Sequence, residues 1–172
     1  MMERAGAVTF KGSPLTLVGP ELKPGEAAPD FRLLDNGLNE VSLSDFAGKR
    51  IVLASVPSLD TAVCDTETRR FNQLAADLGP NVVVLTVSMD LPFAQKRWCG
   101  AAGIERVVTL SDHRTAAFGA AYGVLIKQLR LLARAVFVVD AGGVIRYIQL
   151  VREMTEEPDY DAALKAVRAL RQ

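Results

Sequence analysis

The sequence contains two cysteines, Cys64 and Cys99, and they are its strongest candidates for chemistry. Cys64 follows the apolar run from Ile51 to Val56 and falls where the pattern predicts the start of a helix. Free backbone N–H groups and the helix dipole stabilise an anion at that end of a helix. A thiol there loses its proton more easily, and the thiolate is the nucleophile. The position therefore favours a reactive cysteine.

The sequence also leaves a structural role open for Cys64. A free cysteine is often no more than a small buried hydrophobe. Asp65 and Glu67 place negative charge nearby, which disfavours a thiolate, although both also suit the first turn of a helix. Arg69 and Arg70 can offset part of that charge.

Composition and charge argue against several other classes of protein. The 172 residues include 20 basic and 20 acidic residues, and the basic ones are dispersed, so we expect no nucleic-acid or anionic-membrane partner. No apolar run approaches the roughly 18 residues of a membrane span, and the N-terminus lacks the apolar segment of a signal peptide. Two cysteines and one histidine are too few for a four-ligand zinc site. We expect a cytoplasmic protein, in which a disulfide is more often transient than structural.

The hydrophobic pattern predicts a single α/β domain over residues 1–172. An N-terminal β-hairpin is followed by buried strands that alternate with helices, then by a second hairpin and a closing helix. This order implies a central mixed sheet flanked by helices on both faces. The predicted strands cover 7–10, 15–18, 30–34, 51–56, 82–87, 107–110, 135–139 and 144–150, and the predicted helices follow Cys64 and cover 92–100, 114–122 and 159–170.

Pro57, Thr61 and Cys64 have the spacing Pro-x-x-x-Thr-x-x-Cys. This pattern resembles the active-site signature of the peroxiredoxins, which have a thioredoxin-like fold. The resemblance implies that Cys64 attacks hydroperoxides, that Pro57 shields its sulfur, and that the Thr61 hydroxyl hydrogen-bonds the thiolate and a peroxide oxygen. Taken singly, Pro57 ends a strand and Thr61 is an ordinary helix N-cap.

Cys99 lies in the segment from Asp90 to Gly100, which resembles the region around the resolving cysteine of bacterial thiol peroxidases. These are atypical two-cysteine peroxiredoxins whose cysteines pair within one chain. The resemblance therefore implies a Cys64–Cys99 disulfide. Without it, Cys99 is a buried helix cysteine and the adjacent Trp98 is a packing anchor.

Arg134 precedes the predicted strand 135–139, in another segment that resembles this family. The resemblance implies that its guanidinium lies beside the Cys64 sulfur, stabilises the thiolate and holds the peroxide oxygens. Taken alone, Arg134 is a surface arginine at the end of a strand. Residues 124–133 depart from many members, which have a longer loop containing glycine and proline, so the pocket rim and any dimer contact there are left open.

The resemblance implies a catalytic cycle that needs no metal or organic cofactor. A hydroperoxide oxidises Cys64 to a sulfenic acid, Cys99 condenses with it to a disulfide, and an external dithiol, thioredoxin, restores both thiols. A disulfide needs Cα atoms within about 7 Å, so local unwinding around both cysteines is expected. The family also implies a homodimer.

Four alternatives remain on sequence grounds. The element order also fits a thioredoxin-fold disulfide reductase, but such enzymes use Cys-x-x-Cys, whereas Glu67 stands at that position after Cys64. A redox sensor or an oxidation-triggered chaperone would use the disulfide as a signal. A one-cysteine peroxidase would leave Cys99 incidental. Acyl transfer would need His113 beside Cys64, but its polar surroundings predict a surface residue.

Overall fold

The computed structural model of the chain describes residues 1–170, which form one short 3-10 helix at Leu43–Phe46, eleven strands and four α-helices. The strands are β1 Glu3–Phe10, β2 Ser13–Val18, β3 Arg32–Leu34, β4 Glu40–Ser42, β5 Arg50–Ser55, β6 Val82–Ser88, β7 Val107–Ser111, β8 Leu125–Ile126, β9 Leu131–Leu132, β10 Ala135–Val139 and β11 Ile145–Leu150. The helices are α1 Ala62–Ala75, α2 Pro92–Ala102, α3 Ala117–Ala121 and α4 Tyr160–Arg168.

Seven strands form the central sheet, in the order β11-β10-β5-β6-β7-β3-β4. Strands β5, β6 and β7 are parallel because α1 and α2 return the chain across the sheet between them. Strand β10 pairs antiparallel with both β5 and β11, and β3 pairs antiparallel with β7. The predicted mixed sheet is confirmed.

Alternating residues of the strands enter two different cores, one on each face of the sheet. On β5, Val52 and Ala54 face one core, whereas Ile51 and Leu53 face the other. The first core contains residues of α1 and α4, including Phe71, and the second contains Phe118 of α3. Burial on both faces explains the nearly continuous apolar runs of these strands.

A second sheet has the order β1-β2-β8-β9 and includes the predicted N-terminal hairpin. The short strands β8 and β9 lie within residues 124–133, for which the sequence indicated only a departure from the family. Leu17 of the hairpin pairs with Ile126, and both are fully buried. Residues 124–133 therefore belong to the folded core. No strand was predicted there because β8 and β9 have only two residues each.

Helix α3 is shorter than the predicted helix over 114–122. Ala116 has a left-handed backbone with φ of 56°, so the helix begins only at Ala117. The carboxylate of Asp112 accepts hydrogen bonds from the N–H groups of Phe118 and Gly119, at 3.1 and 2.9 Å. A side chain upstream thus fixes the start of this helix, which a periodicity argument does not detect.

The closing helix agrees more closely with its prediction. The Asp159 side chain accepts a hydrogen bond from the Ala162 N–H at 3.0 Å and caps α4. Residues 171 and 172 of the predicted single domain lie outside the described residues, and the single domain stays a prediction. Among residues 1–170, no helix has the length and apolar character that crossing a membrane requires.

Candidate active site

Cys64 is the third residue of α1, immediately after the turn that follows β5. Its side chain is fully buried and packs in a small cluster with Val56 and Leu59, against which Trp98 lies. Both predicted features of this position are present, namely a buried strand before the turn and a helix beginning beside the sulfur. The helix N-terminus therefore favours negative charge at Cys64.

Arg134 lies directly beside Cys64, with Nη1 3.3 Å from the sulfur. Only 1% of Arg134 is exposed, so it is not a surface residue at a strand end. Its backbone is held by neighbouring strands, because Val151 donates to its carbonyl oxygen and Ser55 donates to the carbonyl oxygen of Ala133. A cation is thus fixed against the sulfur in surroundings that exclude water.

The Arg134 guanidinium has two further partners. Nη1 also donates to Oε1 of Glu67 at 2.8 Å, and Nη2 donates to the carbonyl oxygen of Met154 at 2.7 Å. Burial opposes the charge of Arg134, but negative charge at Cys64 and Glu67 and the bonds to both hold the pKa of the guanidinium above its ordinary value. The arginine therefore stays positively charged.

Glu67 was expected to disfavour a thiolate at Cys64, and in the structure it also binds Arg134. It follows Cys64 by three residues on α1, which puts both side chains on one helix face. The side chain is 1% exposed, and Oε2 has no hydrogen-bond partner among residues 1–170. Burial raises the pKa of Glu67 to about 7, although Arg134 lowers it. The carboxyl group is therefore poised to take up a proton near neutral pH, which removes its negative charge from beside the sulfur.

Asp65 faces away from this pair. It forms an ion pair with Arg69 one turn later and accepts a hydrogen bond from Nε1 of Trp98 at 3.2 Å. Its charge is therefore partly balanced by a cation on the same helix.

Pro57 and Thr61 differ in how they relate to the sulfur. Pro57 is buried at the end of β5, whereas Thr61 is exposed at the N-cap position of α1. The Thr61 hydroxyl donates to the carbonyl oxygen of Ser58 at 2.9 Å, so it bonds the turn and not the sulfur, and it does not cap the helix. The hydrogen bond expected from this hydroxyl to a thiolate or a peroxide oxygen stays a prediction.

Cys99 lies on α2 and is half-buried. Its sulfur lies 3.4 Å from the Thr109 hydroxyl on β7, and that hydroxyl donates to Oδ1 of Asn36 at 2.9 Å. Both cysteines are free. The structure therefore brings Cys64, Arg134 and Glu67 together, whereas Cys99 hydrogen-bonds Thr109 of the central sheet.

Two residues that the sequence pattern does not reveal also support the site. Asp90 accepts hydrogen bonds from the Ser58 hydroxyl and the Leu59 N–H, at 2.7 and 2.8 Å, and so ties the turn before Cys64 to the end of β6. Met154 lies in the charged run 152–157, which the sequence predicts to be a solvated turn. It is nevertheless buried, and its carbonyl oxygen accepts a hydrogen bond from Arg134. The single apolar residue within that charged run is the only sequence signal for it.

A metal centre finds no support in the part of the chain that is described. Residues 1–170 contain no group of three or more histidine, cysteine, aspartate or glutamate side chains suited to a metal ion. The hydrogen-bond partner of the Cys64 sulfur within these residues is Arg134, not His113.

Comparison with known proteins identifies the family and the fold. Residues 23–164 match the Redoxin family profile. The crystal structure of a peroxiredoxin-like protein from Aquifex aeolicus superimposes with a TM-score of 0.91 at 46% identity, over 97% of this chain and 98% of that one. The thiol peroxidase from Chromobacterium violaceum, at 22% identity and a TM-score of 0.84, shares the fold. The chain therefore belongs to the Redoxin family, and its fold is thioredoxin-like.

Curated relatives narrow this assignment. A thiol peroxidase of Bacillus subtilis is 56% identical over 163 residues, which are 95% of this chain and 97% of the relative. One from Oceanobacillus iheyensis is 59% identical over 157 residues, which are 91% and 95% of the two chains. Within the Redoxin family, the chain belongs with the thiol peroxidases.

Proposed function

We propose that the chain reduces hydrogen peroxide and alkyl hydroperoxides through Cys64 as the peroxidatic residue. The observation that carries the proposal is the buried Arg134 guanidinium, 3.3 Å from the Cys64 sulfur at the start of α1. The cation and the helix N-terminus both stabilise the thiolate. The same guanidinium can stabilise negative charge that develops on the peroxide oxygens during the attack.

The chemical step is a two-electron transfer. The Cys64 thiolate attacks one peroxide oxygen, an S–O bond forms and the O–O bond breaks. The other oxygen leaves with the electron pair of that bond, takes up a proton and departs as water or an alcohol. The sulfur is thereby oxidised to a sulfenic acid.

Cys99 is the proposed resolving residue. Its thiol attacks the Cys64 sulfur, an S–S bond forms, the S–O bond breaks and the hydroxyl group leaves as water with the proton of Cys99. The Cys99 sulfur must leave the Thr109 hydroxyl that it contacts at 3.4 Å, and a disulfide needs Cα atoms within about 7 Å, so we expect local unwinding around both cysteines.

Thioredoxin is the proposed reductant, and the partly exposed Cys99 gives an external dithiol a sulfur to attack. Exchange then returns both cysteines to thiols and leaves the disulfide on the reductant. A homodimer remains an expectation drawn from the family resemblance.

Substitution of the two cysteines tests the proposal. In an assay with thioredoxin, thioredoxin reductase and NADPH, Cys64→Ser should abolish hydroperoxide consumption, and turnover retained by this variant contradicts the assignment. Cys99→Ser should reduce one peroxide per chain and then stall. Intact-mass analysis of the oxidised wild-type chain should show the loss of two hydrogens. Peptide mapping of the same chain should show a peptide that links Cys64 to Cys99. Absence of that peptide favours a one-cysteine mechanism.

A further inference from the structure

Trp98 stands between the two proposed reacting cysteines. It precedes Cys99 on α2, and its ring packs against the cluster that contains Cys64. Successive residues on a helix point about 100° apart, and the Cys99 sulfur accordingly lies beside Thr109 on β7. The two sulfurs therefore occupy different environments, and the indole packs on the Cys64 side.

Polar contacts hold the indole in that place. Its Nε1 donates to Oδ2 of Asp65 at 3.2 Å, and Asp65 is the residue next to Cys64. The Arg69 guanidinium carbon lies 5.6 Å from the centre of the indole ring, and the same side chain pairs with Asp65. One carboxylate thus binds a cation on its own helix and an indole on the neighbouring helix.

We propose that Asp65, Arg69 and Trp98 form a latch between the first turn of α1 and helix α2, and that its release controls the rate of Cys64–Cys99 disulfide formation. The proposal rests on the mechanism proposed above. While the latch is closed, Cys64 stays buried beside Arg134 in the arrangement suited to peroxide attack. Formation of the disulfide requires both helices to unwind locally, and this movement breaks the indole–carboxylate bond and removes the ring from the Cys64 cluster.

The latch affects one chemical step and not the other. Peroxide attack uses Cys64 and Arg134, neither of which bonds the three latch residues. Resolution requires the first turn to open. A weaker latch should therefore speed resolution, leave peroxide attack unchanged, and shorten the time during which the sulfenic acid can be oxidised further by a second peroxide.

Trp98→Phe tests this separation of steps, because it removes the Nε1 donor and keeps an aromatic ring. The Asp65 carboxylate is partly exposed to water, so we take the roughly 0.5–1.5 kcal/mol of a typical intramolecular hydrogen bond and not the larger value for a bond to a buried charge. This range converts to a rate increase of about two- to twelvefold. We expect about a fivefold faster appearance of the disulfide after one equivalent of hydrogen peroxide, measured by rapid quenching with an alkylating reagent and intact-mass analysis. Less sulfinic acid should form at excess peroxide.

Asn72→Ala is the matched control. Asn72 also lies on α1 and accepts a hydrogen bond from the Arg106 N–H at 2.7 Å, in the segment after α2. This variant removes both hydrogen bonds that Asn72 accepts from that segment, the other coming from the Glu105 N–H at 3.3 Å, but leaves the first turn intact. It should therefore not change the resolution rate. Resolution that is equally fast in Asn72→Ala, or unchanged in Trp98→Phe, would overturn the latch.

Hydrogen exchange separates failure of the latch from failure of the proposed mechanism. In the reduced protein, amides of residues 62–68 should exchange about fivefold faster in Trp98→Phe than in wild type, a consequence of weaker closure and not of chemistry. If wild type forms no Cys64–Cys99 disulfide, the proposed mechanism fails. If the disulfide forms but neither exchange nor resolution changes in the variant, the latch alone is wrong.

Discussion

Replacing Glu67 with glutamine removes an ionisable group that is fully buried beside Arg134 and Cys64. Glutamine has almost the same shape, and its carbonyl oxygen can still accept the hydrogen bond that Arg134 donates at 2.8 Å. The substitution therefore changes the charge that Glu67 can carry and leaves most of the packing in place. Its effect on stability should depend strongly on pH.

The magnitude follows from the pKa of Glu67, which burial raises from 4.5 to about 7. Below about pH 4.5 the carboxyl group is protonated in the folded and the unfolded chain. Between pH 4.5 and 7 the unfolded chain loses this proton first, so the free energy of unfolding falls as the pH rises. At about 1.36 kcal/mol per pKa unit, the loss is complete above pH 7 and amounts to about 3 kcal/mol.

Glu67→Gln lacks this loss. The difference in unfolding free energy between the variant and wild type should therefore grow in favour of the variant by about 3 kcal/mol from pH 4.5 to pH 8. Urea unfolding of the reduced proteins, followed by circular dichroism at several pH values, measures it.

The matched control is Glu157→Gln, which removes an exposed carboxylate whose charge also raises the pKa of Glu67. Its difference from wild type should change by less than about 0.5 kcal/mol over the same range. A pH-independent difference for Glu67→Gln would refute the reasoning, because it would mean that Glu67 ionises normally in the folded protein.

Three further predictions concern the site residue Arg134 and two positions, Gly123 and Asp112, that fix the chain around α3. Arg134→Lys should slow peroxide reduction by at least about 100-fold in single-turnover kinetics. One ammonium group cannot replace a guanidinium that hydrogen-bonds Cys64, Glu67 and Met154. Near-normal rates would contradict the proposed role of Arg134 in peroxide attack. Gly123→Ala should lower the free energy of unfolding by more than about 3 kcal/mol or prevent folding, since a Cβ there would lie 1.9 Å from the Pro20 carbonyl oxygen at a φ of +69°. Gly100→Ala, with no atom within 4 Å of the new Cβ, should instead stabilise the chain by about 0.5–1 kcal/mol, and equal effects of both substitutions in urea unfolding would contradict the steric argument. Asp112→Ala should cost about 1–3 kcal/mol for each of the two α3 N–H groups it leaves unpaired, as measured by thermal unfolding, and an unchanged melting temperature would show that water replaces the carboxylate.

The order of the main elements could be predicted from local pattern. Buried strands such as β5 and β6 have apolar runs, and α4 has an apolar stripe with a capping aspartate before it. Each of these elements can therefore be predicted from its own residues. Strands β8 and β9 could not be predicted in this way. With two residues each, they form because β8 pairs with the edge of β2 and β9 pairs in turn with β8.

The position of Cys64 at the start of a helix after a buried strand follows from local pattern, since the strand, turn and helix are local features. The family resemblance added the expectation that Arg134 lies beside it. The charges that reach the sulfur depend on tertiary packing, because β10 and α1 meet only when the sheet has formed. Tertiary packing pairs Glu67 with Arg134 and places Trp98 against Asp65, whose ion pair with Arg69 lies within α1. Asp65 and Glu67 both follow Cys64 closely in the sequence, but their surroundings differ. Glu67 lies on the face of α1 that enters the site, and Asp65 lies on the face that meets α2.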